Sequence, residues 1–377
     1  MAHADPDFTI GVEEEYLLVD TDSLALAPAP QEFMDRCVSE LEGQASPEFL
    51  ACQIEIGTTV CATTSHAREE LKRLRSCVAR VAGDYNLAPI AASCHPFSDW
   101  KDQVHTDRER YQVLKRDLAG VGYRMLISGM HVHVGIPAKN QRIDLMNQLK
   151  YFLPHLLAMS GSSPFWQGSD TGMNSYRLTV FDNLPRTGLP PQIDSWGEYE
   201  RSVESLVDTG VIEDSSKIWW DLRPSAKFPT IESRICDVQP TIDTTLALAG
   251  LTQCLTRMLW RLGKKNQRWR LYDNFLISEN RWRAQRYGVN EGLIDFGAGE
   301  ILPFSELLEH IFELVEEDSV AMNACDDIEV ARQIIAGGTG SDKQRAVYEA
   351  AIAAGKDKDD ALKDIVRWLT EAFHEGL

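Results

Sequence analysis

Several signals are missing from this 377-residue sequence, and each absence removes a class of function. The opening stretch MAHADPDFTIGVEEEY has neither a basic nor an apolar segment, so a secretory signal is not expected. No apolar run reaches the ~18 residues of a membrane span. The best candidate, TTLALAGLTQCL, carries Thr and Gln and runs into Arg257. The 8 cysteines (Cys37, Cys52, Cys61, Cys77, Cys94, Cys236, Cys254 and Cys325) form no CxxC pair. Zinc-knuckle and thioredoxin-type readings therefore fall away, and reduced thiols in a soluble, cytoplasmic protein are expected. There is no GxGxxG fingerprint and no GxSxG elbow, so dehydrogenase and α/β-hydrolase readings lose support. The segment Gly337–Lys343 lacks the spacing of a phosphate loop and a preceding strand, and reads as a turn with a capped helix start. Basic residues are also scarce: 38 Lys and Arg against 57 Asp and Glu give a net charge of −19. A chain this acidic is not expected to bind nucleic acid nonspecifically, which needs basic groups to displace counterions. A local pocket for ATP remains compatible with it.

What is present is ordinary globular composition, 44% hydrophobic and 25% charged, with enough material for a core that needs no staples. Period-2 alternation predicts strands over Thr9–Val19, Cys52–Thr58, Leu87–Ser93, Met125–Ile136 and Pro229–Val238. Helical periodicity covers His66–Ala82, Arg142–Met159, Asp194–Asp208 and Ile242–Leu262. It returns over Phe275–Tyr287, Phe304–Glu317, Asp342–Ala353 and Asp357–Phe373. The strands are apolar on one face and polar on the other, unlike the fully apolar strands of a parallel α/β sheet. The expected class is α+β: a mostly antiparallel sheet with helices packed on one side, and a mainly helical part from about residue 242. The loop Gln167–Pro191 is long for a plain connection and suits a binding loop.

The chemistry concentrates on the polar faces of the strands. In GVEEEY, alternation places Glu13 and Glu15 on one face. In QIEIG, Glu55 faces away from its flanking isoleucines. In MHVHV, His131 and His133 share a face; in TIESRI, Glu232 and Arg234 do so. Any one of these reads equally well as a solvated edge, a structural histidine pair or an exposed ion pair. Their coincidence points to a site if the strands are neighbours. Two carboxylates ~4 Å apart repel by roughly 4 kcal/mol at an effective dielectric of ~20, so such a face needs cations. Arg234 supplies one charge. Three or four carboxylates with one or two histidines and no thiolate favour Mg²⁺ or Mn²⁺, which typically hold nucleotide phosphates.

Weaker candidates lie nearby. In WWDLRP, Asp221 and Arg223 share a face just before Glu232. The same pair also reads as a salt bridge capping buried tryptophans. Asp170, Arg177 and Arg186 lie in the long loop, where arginine could clamp a carboxylate or phosphate. The basic run Arg257, Arg261, Lys264, Lys265, Arg268 and Arg270 reads as a solvated helix end.

Together, GVEEEYLLVD, QIEIGT, SGMHVHVGI, SPFWQGSDTGMNSYR, TIESRICDVQP and ENRWRAQRYG resemble the type-2 glutamate–cysteine ligase family, within it the YbdK-type carboxylate–amine ligases. The resemblance runs from about Thr9 through the C-terminal helices. It implies a glutamine-synthetase-like fold, with a curved sheet whose polar face binds ATP and metal, and one catalytic domain over 1–377. By resemblance, Glu13, Glu15, Glu55, His131 and Glu232 are the metal set, with His133, Asp221 and Arg223 as additional candidates. Arg234 and Glu232 take the catalytic role. Arg177 and Arg186 contact substrate, Arg177 at the carboxylate of the amino-acid donor. The implied activity is ATP-dependent ligation of L-glutamate to an amine such as L-cysteine through γ-glutamyl phosphate, within glutathione biosynthesis. A phosphotransferase acting on an amine or guanidino group and a catalytically silent nucleotide or metal sensor stand as alternatives. A homodimer is expected only from the commonness of two-fold assemblies.

Overall fold

The computed structural model describes residues 5–106, 118–122 and 124–377. Its centre is a seven-stranded sheet in which every pairing is antiparallel. The strands are β1 (Ile10–Asp20), β2 (Ala45–Pro47), β3 (Gln53–Gly57), β4 (Leu87–Ile90), β5 (Met130–Gly135), β6 (Leu222–Pro224) and β7 (Thr230–Ser233). The order is β6-β7-β5-β1-β3-β2, and β4 also pairs with β1. This is the α+β, mostly antiparallel architecture that alternation implied.

The helices are α1 (Gln31–Glu40), α2 (Thr64–Gly83), α3 (Lys139–Leu149), α4 (Leu153–Ser160), α5 (Arg177–Phe181) and α6 (Trp196–Asp208). They continue with α7 (Ile242–Lys264), α8 (Asn274–Tyr287), α9 (Phe304–Met322), α10 (Cys325–Gly337), α11 (Gly340–Ala353) and α12 (Lys358–Phe373). From Ile242 onward the only strands among the described residues are the short pair Leu293–Asp295 and Glu300–Leu302. The helix expected over Arg142–Met159 is two helices. A 3₁₀ turn at Lys150–Phe152 separates them, and Pro154, which lacks an amide hydrogen, sits in the first turn of α4. The strand expected over Pro229–Val238 stops at Ser233, and that over Met125–Ile136 begins only at Met130.

Alternation on β1 divides two environments. Ile10, Val12, Tyr16 and Leu18 join the main core, where α2 and α7 pack on β1. α2 is capped by Thr63, whose hydroxyl accepts from the His66 amide, and buries Ala67, Leu71, Leu74, Val78 and Val81. The other face carries Glu13 and Glu15, then turns apolar at Leu17 and Val19. Those two are covered by a second cluster that includes Ile90 of β4 and Leu362, Ile365 and Leu369 of α12. The polar window is thus confined to one half of the sheet.

Two buried histidines set an acid limit on stability. His95 Nδ1 accepts from the amides of Phe97 (3.3 Å) and Ser98 (3.0 Å), and Nε2 donates to the Leu24 carbonyl (3.0 Å). Burial pushes its pKa down to about 3, and burial likewise lowers His155 to about 4. The unfolded chain takes up protons near pH 6.5 that the folded chain refuses. Stability from these groups is therefore complete above that pH and is lost as the pH falls toward the folded values. Each contributes about 1.4 kcal/mol per pH unit within its window. Urea midpoints measured from pH 7.5 to 5 should fall with acid, and His95→Leu should flatten the slope by one proton even though it lowers the whole curve.

Candidate active site

The strand registers assemble the polar face row by row. Arg223 of β6 opposes Glu232 of β7, which opposes His133 of β5, which opposes Gly11 of β1. Two residues along, His131 opposes Glu13, which opposes Gly57 of β3. The next row runs Glu15, Glu55 and Ser46. The charged residues singled out on four separate strands are therefore neighbours because the sheet is antiparallel and in this register.

Two triads result. Ligand atoms of Glu13, His131 and Glu232 all lie within 4.8 Å of one another, as do those of Glu15, Glu55 and His131. His131 is common to both. Its Nδ1 lies 3.0 Å from Glu13 Oε2 and 3.3 Å from Arg234 Nη1; the shorter contact, to a carboxylate, favours the tautomer with the proton on Nδ1 and a lone pair on Nε2. That Nε2 is buried, makes no hydrogen bond, and lies 3.9 Å from Glu15 Oε1. His133 repeats the pattern: Nδ1 meets Thr230 Oγ1 at 2.9 Å, and the buried Nε2 has no hydrogen-bond partner 3.4 Å from Glu13 Oε1. Buried imidazole lone pairs aimed at carboxylates are the donor set of a divalent cation.

The charges are unevenly balanced. Burial opposes ionisation of Glu13, but hydrogen bonds and charge from His131 and His133 outweigh it and hold the carboxyl far below the usual range. Burial also opposes Glu232, yet Arg234 and Arg223 bring it down to about 2. Glu55 goes the other way: burial, then the charges of Glu48, Glu13 and Glu15, push it well above the carboxylate range. Among the described residues its side-chain donor is Ser46 Oγ at 3.1 Å. Burial and the Arg234 charge lower the pKa of His131, against the opposing effect of Glu13 and Glu15. Among the described residues no lysine or arginine forms an ion pair with Glu13, Glu15 or Glu55.

The arginines are organised by Glu232. Arg223 grips it with Nε (3.0 Å) and Nη2 (2.9 Å), and Arg234 Nη1 approaches Oε1 at 2.5 Å. Both carboxylate oxygens are thereby engaged, so Glu232 orders two guanidinium groups as well as bordering a triad. Arg177 emerges from α5 and is buried. Its Nη2 and Nη1 donate to the carbonyls of Arg234 (3.1 Å) and Ile235 (3.4 Å). Gly129 makes room for it: a Cβ there would stand 2.5 Å from Arg177 Nη2. The Gly129 amide donates to Glu15 Oε2 at 2.7 Å.

Two chambers flank this face. One, about 390 Å³, is lined by Glu13, Glu15, Glu55, Arg177, Lys217 and Arg234, with Phe49, Ile127, Phe181 and Trp219 among its apolar walls. The other, about 670 Å³, is lined by Gly11, Thr58, Val60, His133, Lys227 and Phe228. Glu13, Glu55 and Arg223 border both.

Three residues expected nearby stand elsewhere. Asp221 does not share a face with Arg223, because β6 begins only at Leu222 and the bend before it breaks the alternation. Its carboxylate instead holds Arg281 of α8 (2.7 and 3.1 Å), which also binds Asp182. Arg186 lies behind the chamber wall, its Nε on the Lys217 carbonyl (2.8 Å) and its guanidinium 5.4 Å from the Trp219 ring centroid. Asp170 is held by Arg345 of α11. Arg257 and Arg261 are not solvated helix-end charges; both hold the buried Asp318 of α9. Sequence reasoning overlooked Lys217, Gln53 and Gly129, which carry no motif of their own.

A sequence model of glutamate–cysteine ligase family 2 matches residues 9–367. The chain belongs to that family. A relative from Jannaschia sp. (strain CCS1), provisionally named glutamate–cysteine ligase 2, is 58% identical over 374 residues, 99% of each chain. In structure, the chain resembles a glutamate–cysteine ligase from Francisella tularensis solved in complex with AMP. That match has a TM-score of 0.70 at 14% identity and covers 100% of this chain and 90% of that one. It also resembles the ligase PafA, solved in complex with the prokaryotic ubiquitin-like protein Pup. There the TM-score is 0.54 at 12% identity, covering 95% of this chain and 72% of that one. These ligases share the fold of a family member whose sheet carries the two triads. Among the described residues no helix is long and apolar enough to cross a membrane.

Proposed function

We propose that this family member is an ATP-dependent carboxylate–amine ligase, joining the γ-carboxylate of L-glutamate to an amine, with L-cysteine the first candidate. The observation that carries the reading is the pair of carboxylate–imidazole triads sharing His131, bordered by Arg234 and set between two chambers. All-oxygen and imidazole donors without thiolate suit Mg²⁺ or Mn²⁺. The orphaned Nε2 atoms of His131 and His133 fit such a cation, held by Glu13, Glu15, Glu55, His131 and Glu232. When bound, it supplies neutralising charge to phosphate oxygens.

The larger chamber suits the nucleotide, being lined by small residues with apolar Val60 and Phe228 at hand. AMP in the Francisella ligase supports nucleotide use by this fold. The smaller chamber, with Arg177, Lys217 and Arg234 on its walls, suits substrates that carry carboxylates. A γ-carboxylate oxygen bonds to the terminal phosphorus of ATP as the bond to ADP breaks, giving γ-glutamyl phosphate. The amine nitrogen then bonds to the acyl carbon as phosphate leaves, and the nitrogen gives up a proton. Phosphorylation is needed because a carboxylate is a poor acyl donor. The protein contributes positioning and fixed charge: Arg234 at the transferred phosphoryl group and Arg177 at the donor's α-carboxylate. A cytoplasmic location, where ATP and glutamate are both plentiful, fits this reading. The apolar core that runs from Phe8 to Phe373 supports one catalytic domain.

Gly129→Ala tests the role of Arg177 without touching its charge. The added methyl forces the guanidinium aside, and KM for glutamate should rise about tenfold, with a stability loss of about 1–3 kcal/mol from crowding a buried group. An unchanged KM would remove Arg177 from the donor site.

The deciding experiment measures ADP release with Mg²⁺, ATP, L-glutamate and a panel of amines including L-cysteine, with mass spectrometry of the products. A γ-glutamyl amide formed only with every component present is the expected result. A stable phosphoamine would instead establish a phosphotransferase. Nucleotide binding with no product across the panel would leave a sensor.

A further inference from the structure

Lys217 ends a 3₁₀ turn over Ser215–Lys217, and its side chain is 15% exposed on the wall of the smaller chamber. Among the described residues, its one carboxylate within ion-pair range is Glu213, 3.7 Å away and 62% exposed. That is too long for a hydrogen bond and open to solvent on the carboxylate side. Lys217 is therefore a largely covered ammonium group with a weak internal partner.

Two arginines fix its position. Arg223, while gripping Glu232 with Nε and Nη2, donates with Nη1 to the carbonyls of Ser216 (3.1 Å) and Ile218 (2.6 Å), on either side of Lys217. Arg186 donates with Nε to the Lys217 carbonyl itself (2.8 Å). The turn is thus one guanidinium's width from Glu232, and its backbone is held from two directions. The chamber wall beside it is apolar: Phe181, Leu184 and Trp219.

We infer that Lys217 binds the carboxylate of the acceptor, so that the second substrate is an α-amino acid whose uncharged side chain lies against Leu184 and Trp219. This rests on the ligase reading above. Arg177 and Arg234 already have the donor carboxylate and the phosphoryl group to meet, and Arg223 is saturated by Glu232 and two carbonyls. Lys217 is the remaining cation on that chamber's described wall. It is a specificity residue, and Arg186 and Arg223 act through it as positioning residues.

The test compares L-cysteine with cysteamine, the same amine and thiol without the carboxylate, in wild type, Lys217→Met and Lys217→Arg. Wild type should prefer L-cysteine, and Lys217→Met should lower the ratio of kcat/KM for cysteine over cysteamine by about tenfold or more, chiefly through KM for cysteine. Lys217→Arg should restore most of the ratio. A ratio that stays constant overturns the inference, as does a larger rise in KM for glutamate, which would place Lys217 on the donor. Hydroxylamine separates the two levels of argument: with ATP and glutamate it traps the acyl phosphate as a hydroxamate and needs no acceptor carboxylate. Hydroxamate formation with a constant ratio sinks Lys217 alone. No hydroxamate from wild type sinks the ligase reading and the inference with it.

Discussion

Replacing Glu232 with glutamine is expected to lower ligase turnover by about 10²- to 10³-fold, the usual loss when a preorganised charge at a phosphoryl or acyl centre is removed. The amide is nearly isosteric with the carboxylate, so the effect is electronic. Glu232 takes three hydrogen bonds from Arg223 and Arg234 and borders the triad of Glu13 and His131. An amide carries no charge for either guanidinium and turns an NH₂ toward one of them. Arg234, which also approaches His131 Nδ1 at 3.3 Å, loses the anchor that holds it over the cluster. Glu232→Ala is harsher than the sequence suggests. The ion pair is 2% exposed at the carboxylate and about 10% at each arginine, so truncation leaves two covered cations unpaired and lowers stability as well. Steady-state kinetics beside a denaturation curve separates the two variants. A glutamine variant with wild-type turnover would leave Glu232 only a structural ion-pair role.

The same residue shows how much of the site was legible. Four short strands with one apolar face and one ionisable face identified Glu13, Glu15, Glu55, His131 and Glu232, because alternation alone fixes which side chains share a face. Their closeness was not legible, since it depends on register between strands far apart in sequence, such as β1 with β5 and β5 with β7. Asp221 went astray because alternation was extended one residue beyond the strand. Lys217 went unseen because a lone lysine in a turn has no periodicity.

Fold elements followed the same rule. Helices with a side-chain cap and a long apolar stripe, such as α2 and α7, were evident. Three of the numbered helices were overlooked: α1 and α10 have no side-chain cap and bury only a few residues each, and α5 is a five-residue turn inside the stretch read as a long loop. By contrast, the glycine-rich segment before α11 was read correctly as a capped start. Thr339 and Asp342 form a reciprocal capping box there, a local arrangement that sequence spacing encodes directly.

Glu14 was the least legible charge, and it underlies the largest stability effect expected here. Between Glu13 and Glu15 it looks like part of an acidic run, yet alternation turns it into the core, where it is fully buried. Arg75 of α2 meets it with Nε (3.0 Å) and Nη2 (2.6 Å), and the hydroxyls of Thr245 (2.6 Å) and Tyr16 (2.5 Å) donate to it. Arg75 in turn donates to the carbonyls of Gln239 and Pro240, and lies over the rings of Tyr16 and Phe373. One ion pair thus ties β1, α2, the start of α7 and the end of α12 on the face opposite the triads. Arg75→Met should cost on the order of 3–5 kcal/mol, because it strands a carboxylate in a dry core rather than because the pair is intrinsically stabilising. Glu14→Gln should cost a similar amount, because it leaves the Arg75 guanidinium buried without a counter-charge even though the amide oxygen still accepts from Thr245 or Tyr16. The double variant Glu14→Gln/Arg75→Met should be more stable than the sum of the two losses predicts, by about 1–3 kcal/mol. Urea denaturation of the four proteins measures that coupling. Additive losses would mean that Arg75 matters through its carbonyl and ring contacts, and that the charge on Glu14 is held by its hydroxyl donors alone.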